Sequence, residues 1–136
     1  MLKRALTLTF IALAAASGFG AGGFGASSPA RAIESGAAPY DGELQRLSEI
    51  LGALHYLRDL CGSNEGQKWR SEMQALIDAE APSGERRNRL MVSFNRGYRS
   101  FQQTYRSCTP AAGVAIRRYL AEGAKIAREI TARYAN

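Results

Sequence analysis

One histidine, one tryptophan and two cysteines among 136 residues leave little from which to build a chemical centre. A zinc site draws on clustered His and Cys, and one His without a Cys-x-x-Cys pair does not supply that cluster. There is no G-x-S-x-G, no H-E-x-x-H and no Gly-rich phosphate loop, so none of the corresponding hydrolase, metalloprotease or nucleotide chemistries is written in the chain. No metal and no cofactor is expected. The alternation of polar and apolar residues that marks a half-buried strand is also missing, which leaves an all-α protein. Acidic side chains become scarce along the chain: residues 33–85 carry 4 basic and 10 acidic groups, residues 86–136 carry 11 and 2. Net −6 is thus followed by net +9, an asymmetry that either steers an anionic partner or is neutralised when the halves pack together.

At the N-terminus, Lys3 and Arg4 precede an uncharged apolar run from Ala5 to Ala16, and Ala30-Arg31-Ala32 offers small residues where a signal peptidase reads. This predicts a cleavable signal peptide over residues 1–32, cut after Ala32, and a periplasmic product. An uncleaved anchor is the alternative, because no charge occurs from Ala5 to Ala30. Much of that stretch is Gly, Ser and Ala rather than Leu or Ile, which favours cleavage. Loss of Lys3, Arg4 and Arg31 lowers the formal charge from +6 to +3, 15 basic minus 12 acidic groups. Residues 33–40 read as a flexible mature N-terminus, residues 41–136 as the folded domain, and the mature chain is expected to hold no transmembrane helix.

From Asp41 a helical period begins. Leu44, Leu47, Ile50, Leu51, Leu54, Leu57 and Cys61 share one stripe, with Asp41 as a plausible N-cap and Gly62 as the left-handed residue past the end, which predicts a helix over 41–61. After the turn Gly62-Ser63-Asn64 the period resumes over 65–81 with Trp69, Met73, Leu76 and Ile77 inward, and Pro82-Ser83-Gly84 ends it. A third helix is predicted over 85–108, its inner face formed by Leu90, Met91, Phe94, Tyr98, Phe101 and Tyr105. Thr109-Pro110 then suits a cap followed by a first helical residue. Short connections between four amphipathic helices favour an up-down-up-down bundle, preceded here by the signal peptide. Cys61 and Cys108 end the first and third helices, hence lie at one pole, and export predicts that they pair; two inert buried thiols, or a reactive one, are the alternative.

Candidate binding residues are Arg86, Arg89, Arg96, Arg99 and Arg106, which fall opposite the aromatic face of the third helix. Candidate chemistry is confined to His55, Arg58 and Asp59. His55 and Asp59 are one helical turn apart, so one could orient the other for acid-base work, whereas a lone His on a helix flank is more often a structural contact. Arg58 falls inside the apolar stripe and needs a carboxylate or a path past the helix end. Glu80 and Arg87 both fall on inner faces near the same pole and are expected to pair.

The segments LHYLRDLCG, WRSEMQALIDAE, RRNRLMVSFNRGYRSFQQTYRSCT and RRYLAEGAKIA, spanning roughly residues 41–134, resemble an alpha-proteobacterial family of small exported helical proteins of unknown function. The resemblance implies a helical periplasmic protein and no activity. The expected role is a non-enzymatic interaction module whose Arg-rich face meets an anionic envelope component or an acidic protein. A small enzyme with a site around His55, Arg58 and Asp59 is one alternative. A structural or oligomerising bundle that exposes Tyr56 and Leu60 is another. Nucleic acid is not an expected partner, because export separates the two.

Overall fold

Asp41–Leu60 forms α1, and of its residues only Gly42 and Asp59 are exposed in the computed structural model, which describes residues 37–134. Leu44, Ile50, Leu54 and Leu57 lie at 2% exposure or less. Each such side chain contributes roughly 2 kcal/mol by leaving water. A helix buried on so many sides must be surrounded, and the other three helices pack around it: α2 (Gly66–Glu80), α3 (Gly84–Thr104) and α4 (Pro110–Tyr134). Among the described residues there is no strand.

Contacts at the helix ends give the directions. Asp41 meets Arg86 at one end of α1 and Cys61 meets Cys108 at the other, so α1 and α3 run parallel. Arg58 meets Glu65, and Tyr40 meets Glu80, which sets α2 antiparallel to α1. Arg46–Glu122 and Glu43–Arg133 do the same for α4. The chain therefore alternates up and down, but the bundle is not a regular square. In a square α1 and α3 would stand on a diagonal, whereas here they are the most closely packed pair.

Small residues cause that approach. Gly52 of α1 faces the backbone of Phe94 and Tyr98, and Gly97 of α3 faces the backbone of Glu49 and Ala53, so that a Cβ at either glycine would collide with main-chain atoms. Ser48 and Ser93, one turn before each glycine, are buried in the same seam. The inner face of α3 is consequently centred on the Arg86, Leu90, Ser93, Gly97 line, about 80° from the arc expected from the large apolar residues alone. Phe94 is still buried, while Met91, Tyr98 and Phe101 are half-buried.

Helix boundaries follow local chemistry. Gly62 at φ 75° and Asn64 at φ 59° make the turn after α1. Asp41 is the first residue of α1 and not its cap: its carboxylate accepts from the Ala38 N–H (3.0 Å) and from Arg86. Thr109 does cap α4, its Oγ1 accepting from the Ala112 N–H at 3.2 Å, with Pro110 first in the helix. α3 stops at Thr104, short of the expected Cys108. Tyr105 is extended, its carbonyl accepts the Tyr56 hydroxyl, and residues 105–109 fold back so that Cys108 reaches Cys61 with Cα atoms 4.9 Å apart. The disulfide pairs the end of α1 with the loop after α3. No helix among the described residues is long and apolar enough to cross a membrane. The expected signal peptide, its cleavage after Ala32 and residues 33–36 lie outside the described residues. At the other side of that boundary Tyr40 is engaged, its ring 4.8 Å from that of Tyr134.

Candidate functional site

The outward face of α3 carries Arg89, Arg96 and Arg99, all exposed and spaced so that they follow one line along the helix. Val92 sits among them, 57% exposed. Arg106, also exposed, lies in the loop beyond. None of these four arginines makes an ion pair with a described residue. Other arginines are matched: Arg46 with Glu49 and Glu122, Arg58 with Glu65, and Arg133 with Glu43 and Glu129.

Arg86 departs from the outward set. Its side chain is 15% exposed and is fixed by the Asp41 carboxylate at 2.6 Å, while Nη1 donates to the Glu80 carbonyl. Tyr40 completes this pole by donating its hydroxyl to the Glu80 carboxylate at 3.0 Å. That carboxylate, followed by burial, raises the phenol above its ordinary pKa. The expected Glu80–Arg87 pair therefore does not form. The rotation of α3 that brings Gly97 against α1 brings Arg86, not Arg87, over the pole. Tyr40 belongs to the segment whose composition predicts flexibility, and the sequence signal that it packs is its aromatic character directly before the first helical turn.

His55, Arg58 and Asp59 do not converge. The imidazole packs against Phe94 and Tyr98, with ring centroids 5.9 and 5.3 Å away, and its buried Nδ1 has no hydrogen-bond partner among the described residues. Burial, with the charge of Arg70 adding to it, lowers its pKa. Arg58 is held by both oxygens of Glu65 at 2.7 and 2.9 Å, and Glu65 also accepts the Trp69 indole N–H at 3.2 Å. The carboxylate expected to meet Arg58 is thus Glu65, whose pKa is drawn down to about 2, first by the hydrogen bond from Arg58. Asp59 is exposed. Tyr56 and Leu60, which the alternative of an oligomerising bundle would expose as an apolar patch, are half-buried. Tyr56 bridges to the Tyr105 carbonyl and meets the Tyr98 ring edge-on at 5.4 Å. Among the described residues no group of three His, Cys, Asp or Glu is placed to hold a metal ion.

A second feature was not legible in the sequence. α2 and α4 flank α1 without approaching one another, and between them lies a groove of about 490 Å³. Its floor is Leu47, Ile50, Leu51 and Leu54; Trp69 and Leu76 form one wall, and Leu120, Ala124 and Ala127 the other. Gly123 lets α4 sit against α1 there, since a Cβ would come within 3.3 Å of the Ile50 side chain. No α3 residue lines the groove, so it is a surface apart from the arginine line.

A family described as "Protein of unknown function (DUF2385)" matches residues 39–134 of the chain. No curated protein and no solved structure matches it.

Proposed function

The chain belongs to this family of unknown function, and on the geometry above we propose that it is a non-enzymatic interaction module that presents the outer face of α3 to an acidic protein. The observation that carries this reading is the contrast among arginines. Arg46, Arg58 and Arg86 each have a carboxylate, while Arg89, Arg96 and Arg99 share one exposed face and have none among the described residues. Holding like charges together in water is unfavourable by a few tenths of a kcal/mol per pair and calls for an external counter-charge. Val92 in their midst favours a protein surface, where an apolar contact can be ringed by carboxylates, over a uniformly charged anionic envelope component. We further propose that the chain acts in the periplasm after removal of residues 1–32. The disulfide, which persists in an oxidising compartment, supports that placement.

The test compares crosslinked partners of the tagged protein with those of an Arg96→Glu/Arg99→Glu variant, with Arg118→Glu/Arg128→Glu on α4 as the control of equal net charge. The reading expects a partner that is captured by the parent protein and the control and lost from the double variant. Its retention should fall with salt, as rim charges require. A partner held equally by the double variant, with helix content unchanged, overturns the reading.

A further inference from the structure

Arg89, Val92, Arg96, Arg99 and Gln103 follow one another at steps of three, four, three and four residues, and all five are exposed. Such steps average about 3.5 residues, so at about 100° per residue the five side chains stay within about 40° of one line, which runs roughly 21 Å along α3. This is the spacing with which one helix keeps the same face against another. The residues to either side, Asn88, Asn95, Ser100 and Gln102, are exposed and uncharged. Val92, Asn95, Arg96, Arg99, Ser100 and Gln103 together line one open hollow. Physical conditions restrict what can lie there. The main chain of α3 is bonded within its own helix, so an extended peptide finds no edge to pair with. Arg89, Arg96 and Arg99 are separated by rises of roughly 10.5 and 4.5 Å; side chains on one face of an extended chain repeat at about 6.6 Å, whereas residues seven and three apart on a second helix reproduce both rises. A second copy of the chain brings no matching acidic face: its exposed carboxylates, among the described residues, are Asp59, Glu72, Asp78 and Glu85, spread over three helices.

We propose, on the strength of the acidic-protein reading above, that the partner docks as an acidic α-helix laid along α3, with an apolar side chain against Val92 and carboxylates opposite Arg89, Arg96 and Arg99. The arginine stems cover the apolar contact, and their guanidinium groups reach the carboxylates at its rim.

The probe is an alanine- and glutamine-based peptide of about 21 residues, helical by circular dichroism, with Leu at its centre and Glu three, four and seven residues to either side, which offers the same face in either direction. Fluorescence anisotropy of the labelled peptide at low ionic strength should show saturable binding to the full chain that weakens with salt. Two further peptides should each bind at least about fivefold more weakly, the scale of one or two exposed ion pairs lost. One has the same composition and helicity with its Glu residues spread around the helix; the other keeps the Glu spacing but carries two prolines that abolish the helix. Arg96→Glu/Arg99→Glu, with helix content unchanged, should weaken the first peptide at least about tenfold and bind a counterpart with Lys in place of Glu, whereas Arg118→Glu/Arg128→Glu should weaken it less. Absence of saturable binding overturns the proposal. Equal binding of the three peptides, lost only in Arg96→Glu/Arg99→Glu, overturns the helical occupant and leaves an acidic partner in place. Equal loss in both double variants removes the arginine face itself, and with it the reading on which the helical occupant rests.

Discussion

At the scale of single residues, the molecule depends on two hydrogen atoms where side chains would otherwise stand. Gly52 and Gly97 each face main-chain atoms of the neighbouring helix, which cannot rotate away as the tip of a long side chain can. Gly97→Ala is therefore expected to destabilise by about 3 kcal/mol or slightly more, the upper range for overpacking a close interface. Gly42, also in a helix, has nothing within 4 Å of a would-be Cβ, and Gly42→Ala should be neutral or stabilising by up to about 1 kcal/mol. Urea unfolding of the two variants against the parent protein checks both. Equal effects would mean that α1 and α3 do not meet at Gly97. Pattern reading undervalued these positions because glycine and serine count as neither polar nor apolar in a periodicity. Their contribution is space, and space has value only when another backbone fills it.

At the scale of elements, the joint between α1 and α2 is an ionic one. Arg58 closes α1, Glu65 immediately precedes α2, and the two meet in a two-pronged pair to which the Trp69 indole is added. A charge inside an apolar stripe calls for either a carboxylate or a path past the helix end, which is legible in the sequence; that a carboxylate meets it, and which one, depends on how the intervening turn bends. The pair makes a pH prediction with a definite sign. Glu65 has a pKa of about 2 in the folded protein against an ordinary 4.5, so its stabilising contribution is complete above about 4.5 and lost as the pH falls toward 2. In Glu65→Gln this component of acid sensitivity should vanish. Melting temperatures of the two proteins should differ at pH 6 and converge near pH 2 (both roughly chosen to bracket the titration). A difference that stays constant across that window would show that the Arg58–Glu65 pair contributes nothing to folding.

For the whole molecule, the disulfide is the one covalent tie between distant parts, joining positions 47 residues apart. A loop of that length assigns it about 4 kcal/mol through the entropy of the unfolded chain, an upper figure in that model. Reduction, or Cys61→Ser with Cys108→Ser, should lower stability by up to this amount without changing helix content, read by urea unfolding with and without reductant. Alkylation of the unreduced protein should modify neither cysteine; two modified thiols would remove the basis of the prediction. The 3.6-residue period of the sequence was sufficient to determine four helices, their number, order and direction, and the Thr109-Pro110 junction, because these follow from local backbone preference and from short connections. The pairing of Cys61 with Cys108 came from the same source, since alternating helices return to the same pole. Only the tertiary structure decided that α1 is central, that α3 is rotated to bring Arg86 and not Arg87 to Asp41, and that α2 and α4 stand apart over an apolar groove. Those outcomes depend on how closely two backbones approach at Gly52 and Gly97, a contact between segments 45 residues apart that no single helix encodes.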